Sequence, residues 1–123
     1  MPGPIRSLVP LAHVRDMRAS IAFYEKLGFT VENTFTPEGA DQPAWCWLAS
    51  ERAELMLARA SEPVIGDQQG VLFYAYCDDA AATHRLLADA GIAVGPIATP
   101  FYMPGGEFPV KDPDGYLLYV AQI

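Results

Sequence analysis

The chain repeats itself at an offset of 63 residues. Asp16 falls on Asp79, Ser20 on Thr83, Phe23 on Leu86, Tyr24 on Leu87, Gly28 on Gly91 and Val31 on Val94. A period of this length marks one supersecondary unit used twice. Each half reads strand, helix, strand, strand, strand. A helix placed after the first strand of each half covers one face of a curved sheet. The other face is then free to line a cavity or another sheet.

Local patterns fill in that outline. Residues 5–14 are short, apolar and partly β-branched, and read as a strand. Asp16 offers an N-cap for a helix over 17–27, with Met17, Ile21 and Tyr24 on one stripe and Gly28 as its stop. Residues 29–35, 44–49 and 53–60 read as strands, with a loop over 37–43 and a tight turn over 50–52. The polar stretch after residue 60 has no periodicity and reads as a linker. The second half opens with a strand over 71–77. Asp78 and Asp79 can cap a helix over 80–90 that Gly91 ends. His84 sits mid-helix, opposite the stripe Ala82–Leu86–Ala90, and is expected to face solvent. Residues 92–99 read as a kinked strand and 101–107 as a loop. EFPVKD and GYLLYVAQ read as strands around the turn DPDG (112–115). The expectation is one α+β domain over 1–123, built of module 1–60 and module 70–123 joined by linker 61–69.

A chain of 123 residues with 51% apolar residues has enough material for a core without disulfides or a structural metal. Eight Lys plus Arg against fifteen Asp plus Glu give a net charge of −7, and the only lysines are Lys26 and Lys111. Such a surface repels nucleic-acid phosphates and anionic lipid, so neither partner is expected. A cationic or neutral small molecule suits the field better. Cys46 and Cys77 lie 31 residues apart without CxxC spacing and read as thiols of a reducing compartment. No stretch approaches the ~20 apolar residues of a membrane span, and the N-terminus lacks a signal-peptide pattern. A soluble, cytoplasmic protein is expected.

Three segments carry a family resemblance. VPLAHVRDMRASIAFYEKLGF (9–29), CDDAAATHRLLADAGI (77–92) and GGEFPVKDPDGYLLYVAQ (105–122) resemble the vicinal oxygen chelate superfamily. That superfamily includes glyoxalase I, extradiol dioxygenases, fosfomycin-resistance enzymes and bleomycin-resistance proteins. The resemblance implies two tandem βαβββ modules forming curved mixed sheets, and a homodimer with ligand pockets near its interface. It also implies where a metal would be held, and those positions fall on Val9, Glu54, Leu72 and Tyr119. One carboxylate among four cannot hold a catalytic divalent ion, which needs about three protein ligands. Strand parity adds His13 to the face of Val9, which with Glu54 still makes two. No metal and no other cofactor is therefore expected, and the likeness is to the metal-free, bleomycin-resistance branch.

Alternation proposes what lines the same face instead. Leu11 and His13 share it on the first strand, Glu54, Met56 and Ala58 on the fourth, Leu72, Tyr74 and Tyr76 on the fifth, Leu117 and Tyr119 on the last. A two- or four-residue hairpin loop at 50–52 brings Trp45 and Trp47 opposite Met56, whereas a three-residue loop brings Cys46 and Leu48. Phe101 and Tyr102, in the loop FYMPGGE, can close over a ligand. The expected ligand-binding residues are thus Trp45, Trp47, Glu54, Met56, Leu72, Tyr74, Tyr76, Phe101, Tyr102 and Tyr119. Indole and phenol faces attract planar rings and cations, and Glu54 can pair with an amine. The preferred reading is a protein that sequesters an aromatic or cationic antibiotic or metabolite. The alternative is a metal-dependent lyase, isomerase or dioxygenase of the same superfamily. A third reading is a metal-free enzyme with Glu54 or His13 as general base, the carboxyl tuned by an aromatic pocket. Each of these residues also has a purely structural reading, as core filler or a satisfied polar group. Asp16 and Asp79 serve as caps, and Asp112 and Asp114 serve the turn.

Overall fold

The computed structural model describes residues 3–123. The chain forms two compact units, Met1–Val64 and Ile65–Ile123. The fold is α+β, with one mixed sheet and one helix of three turns in each unit.

The first unit runs β1 (Leu11–Val14), α1 (Met17–Lys26), β2 (Thr30–Phe35), β3 (Trp45–Ser50) and β4 (Ala53–Arg59). The strand order is β1-β4-β3-β2, with β1 parallel to β4 and the other pairs antiparallel. Asp16 caps α1 from extended backbone, its carboxylate accepting the Ala19 N–H at 3.2 Å. Gly28, at φ +102°, takes the left-handed turn that lets the chain leave the helix. Met17, Ser20, Phe23 and Tyr24 form the buried side of α1. The buried face of the sheet is Ala12, Val14, Cys46, Leu48, Leu55 and Leu57. Each fully buried large side chain stabilises the unit by roughly 1.5–3 kcal/mol. Because strand residues alternate, the residues between them point away from the helix.

The second unit contains β5 (Phe73–Cys77), α2 (Ala80–Asp89), β6 (Glu107–Lys111) and β7 (Leu117–Gln122), ordered β5-β7-β6. Strands β5 and β7 are parallel, β6 and β7 antiparallel. Asp79 caps α2 as Asp16 caps α1, accepting the Ala82 N–H at 3.0 Å. Ala80 and Leu87 are buried on α2, and Phe108, Val110, Leu118 and Val120 on the sheet. The β6–β7 turn is held by Asp112, whose Oδ1 accepts the N–H groups of Asp114 and Tyr116, both at 2.9 Å.

Five sequence expectations need correction. The first strand starts at Leu11, not Ile5. Pro4 and Pro10 lack an N–H, and Ile5 and Leu8 lie exposed. Residues 92–99 form no continuous strand but only isolated bridges, Val94 to Val110 and Ala98 to Glu107. Pro96 on one side and Pro109 on the other each remove a donor from the ladder between them. His84 does not face solvent. It is half-buried, its Nε2 lies 2.9 Å from the Gly95 carbonyl, and its ring meets Phe108 edge-on at 4.9 Å. Leu86, which the stripe put inside, is 64% exposed. Finally, residues 66–68, read as part of an unstructured linker, form a short 3-10 turn (Gly66–Gln68) whose Gly66 N–H donates to the Asp114 carbonyl.

Candidate functional site

In the first unit the hairpin decides which face the tryptophans take. Ser50 pairs with Ala53, so the connecting loop is two residues, Glu51 and Arg52. Trp47 therefore sits opposite Met56, Trp45 opposite Ala58 and Ala49 opposite Glu54. Leu11 and His13 lie beside Met56 and Ala58 on β1. The indoles meet edge-to-face, with centroids 6.4 Å apart, and both are half-buried. A bulge in β2 between Val31 and Asn33 adds Phe35, 60% exposed, beside Trp45. This face is an aromatic and apolar surface turned away from α1. Glu54 stands exposed at its end and lacks the apolar surroundings that a general base in an aromatic pocket requires.

In the second unit, parallel pairing sets Tyr74 directly beside Tyr119. Neighbouring strands are ~4.8 Å apart, so two rings at paired positions stack. Tyr119 and Tyr74 stack with centroids 5.5 Å apart and planes 20° apart, and Tyr76 continues the row at 6.1 Å and 23°. A cavity of about 490 Å³ opens beside Tyr119, lined also by Tyr102, Glu107, Pro96, Pro100 and Pro109. This is within the roughly 300–1,000 Å³ of small-molecule sites. Glu107 is only 5% exposed, and its Oε1 accepts the Tyr74 hydroxyl at 3.3 Å. Desolvation first, then the negative charge of Glu107 beside it, raises the Tyr74 hydroxyl above the ordinary phenol value. Phe101 and Tyr102 pack edge-to-face at 5.4 Å in a turn, with Phe101 almost fully exposed. Leu72 lies just before β5 and is half-exposed.

The positions that would hold a metal do not suit one. Val9 and Leu72 carry no donor atom, and Tyr119 offers a phenol stacked on Tyr74. His13 pairs with Ala58, four residues from Glu54 and so about 13 Å along the strand, too far to share an ion with it. Among the described residues no group of three or more His, Cys, Asp and Glu side chains could hold a metal ion.

A family profile described as Glyoxalase/Bleomycin resistance protein/Dioxygenase superfamily matches residues 9–120, nearly the whole chain. The chain belongs to this superfamily. No curated protein sequence matches it at a significant level. Solved structures of superfamily members superpose well at low identity. One is a bleomycin-binding protein complexed with bleomycin, 23% identical over 97% of this chain and 99% of that one, with a TM-score of 0.73. Another is an antibiotic-binding protein from Streptomyces sp. CB03234, 21% identical, covering 98% of both chains, with a TM-score of 0.73. A third is a bleomycin-binding protein from bleomycin-producing Streptomyces verticillus complexed with copper(II)-bleomycin, 19% identical over 99% of both chains, TM-score 0.72.

Two residues of these faces escape a reading of the sequence. Phe35 reaches the tryptophan face only because the β2 bulge shifts register, and no residue pattern announces that bulge. Glu107 could have been found by alternation, since it lies two residues from Pro109, the partner of Tyr119. That pairing depends on the 112–116 turn spanning five residues.

Proposed function

We propose that this superfamily member is a metal-free binding protein that sequesters an aromatic or cationic antibiotic or metabolite without changing it covalently. The observation that carries the reading is the row of stacked tyrosines opening onto a cavity in the second unit. Stacked phenol faces bind planar rings and cations, and apolar proline walls favour a ligand that sheds water. The tryptophan face of the first unit offers the same chemistry. The bleomycin- and antibiotic-binding neighbours support the reading as proteins of the same fold. In this reading the protein acts as a homodimer in the cytoplasm, where its two free cysteines stay reduced.

Titration calorimetry with bleomycin and a panel of planar and cationic drugs tests this. A dissociation constant well below roughly 1 mM for at least one compound is expected, with the compound recovered unaltered by mass spectrometry. Tyr119→Ala should weaken that binding about two- to tenfold, the worth of an aromatic contact. Failure of every compound to bind, or turnover of a bound one when divalent metal is added, overturns it.

A further inference from the structure

Glu107 is a buried carboxylate that lines the cavity and accepts the Tyr74 hydroxyl. It is 5% exposed, and among the described residues no lysine, arginine or histidine lines the cavity with it. Its Oε1 accepts a hydrogen bond from a neutral donor, the Tyr74 hydroxyl, at a long 3.3 Å. An ionised carboxylate offers about four acceptor positions, and burying one without a cationic partner is costly. The side chain is also well placed. The Glu107 N–H donates to the Ala98 carbonyl at 2.9 Å and its own carbonyl accepts the Ala98 N–H at 2.8 Å, which fixes the backbone at the start of β6. Around it stand Tyr74, stacked on Tyr119, with Tyr102 and the apolar edges of Pro96, Pro100 and Pro109. A structural glutamate of this burial is normally paired inside the protein. This one faces an open cavity ringed by phenols, an arrangement that receives a cation twice over, by charge and by ring face.

We propose that Glu107 is the recognition carboxylate of this cavity, and that it selects ligands carrying a protonated amine beside an aromatic ring. The proposal rests on the reading of the cavity as the ligand site. In the complex the ligand N–H group donates to the Glu107 carboxylate while its ring lies along the Tyr119 face. Selection for a cation is then local to this one side chain and does not depend on the −7 charge of the whole chain.

Three planar probes of one shape test it: 9-aminoacridine, a cation at neutral pH, acridine, which is neutral, and acridine-9-carboxylate, an anion. Binding is measured in about 1 M salt, where the Debye length is only about 3 Å and the general field of the chain is screened. The wild-type protein should bind the cation most tightly and the anion least. Glu107→Gln should weaken the cation about tenfold or more, as loss of a charged hydrogen bond does, and leave the neutral probe within about twofold of wild type. Equal affinity of the wild type for cation and neutral probe overturns the proposal, and so does an unchanged cation affinity in Glu107→Gln. Should that variant fail to melt cooperatively, the wild-type ranking decides alone. Neutral binding without cation preference sinks this inference but leaves the cavity as a ligand site. No binding of any probe removes both.

Discussion

Tyr74 and Cys46 are two side chains whose protonation the fold moves, and both move in the same direction. The Tyr74 hydroxyl is raised by desolvation and by the charge of Glu107, and the Cys46 thiol is raised by burial, against a smaller opposing hydrogen bond from Leu57. A raised value means that the folded state keeps its proton longer than the unfolded chain does. Stability from these groups is therefore complete below the ordinary values, 9.0 for the thiol and 10.0 for the phenol, and falls as pH rises past them. Two measurements follow. Cys46 is fully buried, so iodoacetamide should modify Cys77 in the native protein and reach Cys46 only in denaturant. Rapid native labelling of Cys46 would show that its strand opens readily. In an ultraviolet titration, one tyrosine should ionise above the usual phenol range. Glu107→Gln should bring that step down and Tyr74→Phe should remove it. Glu54 is exposed, so Glu54→Ala should change unfolding free energy by no more than about 0.5 kcal/mol.

Gly66 ties the short 3-10 turn to the β6–β7 turn. A Cβ added there would lie 2.4 Å from the Asp114 carbonyl oxygen and 2.6 Å from the Tyr116 nitrogen, both backbone atoms that cannot swing aside. Gly66→Ala should cost about 1–3 kcal/mol in urea unfolding, as overpacking does. Gly70→Ala, with open space around it, serves as the matched control. A loss no larger than that of Gly70→Ala would mean the two turns are not held together. These elements also show where the sequence is readable. Asp16 and Asp79 identify both helices because a cap is a local signal, confined to four residues. The strands around the Glu51–Arg52 hairpin are equally local. Register is not: the loop length that turns Trp45 and Trp47 to one face, and the bulge that adds Phe35, depend on pairing between strands. The same limit hid His84, whose place is set by Gly95 and Phe108 rather than by the spacing along α2. Residues 92–99 have strand-like composition, but two prolines, one on each side, deny them a ladder. Of the proposed ligand contacts, the tyrosine row was readable from alternation alone, whereas the carboxylate beside it needed the length of the 112–116 turn as well.

For the whole molecule, charge and apolar exposure pull in opposite directions. Phe35, Leu72, Tyr76, Phe101 and Tyr102 are all large and more than 40% exposed. Scattered apolar residues are ordinary on a surface, but exposed aromatics beside an indole pair in the first unit, and beside a stacked row in the second, are a feature of surfaces that become covered. Covering them in a second copy would gain roughly 25 cal/mol per Å² of apolar surface, less the costs of association. Each copy brings a charge of −7, so the two copies repel. The repulsion is long-ranged and screened by salt, whereas the apolar gain is not. The proposed homodimer should therefore tighten as salt rises from about 0.01 M, where the Debye length is about 30 Å, to 0.15 M, where it is about 8 Å. Sedimentation at micromolar concentrations should give a mass near twice 13.4 kDa at the higher salt, with dissociation on dilution at the lower. A single 13.4 kDa species at every salt and concentration would remove the dimer. A dimer that weakens with salt would show instead that ion pairs, not the aromatic surface, hold the two copies together.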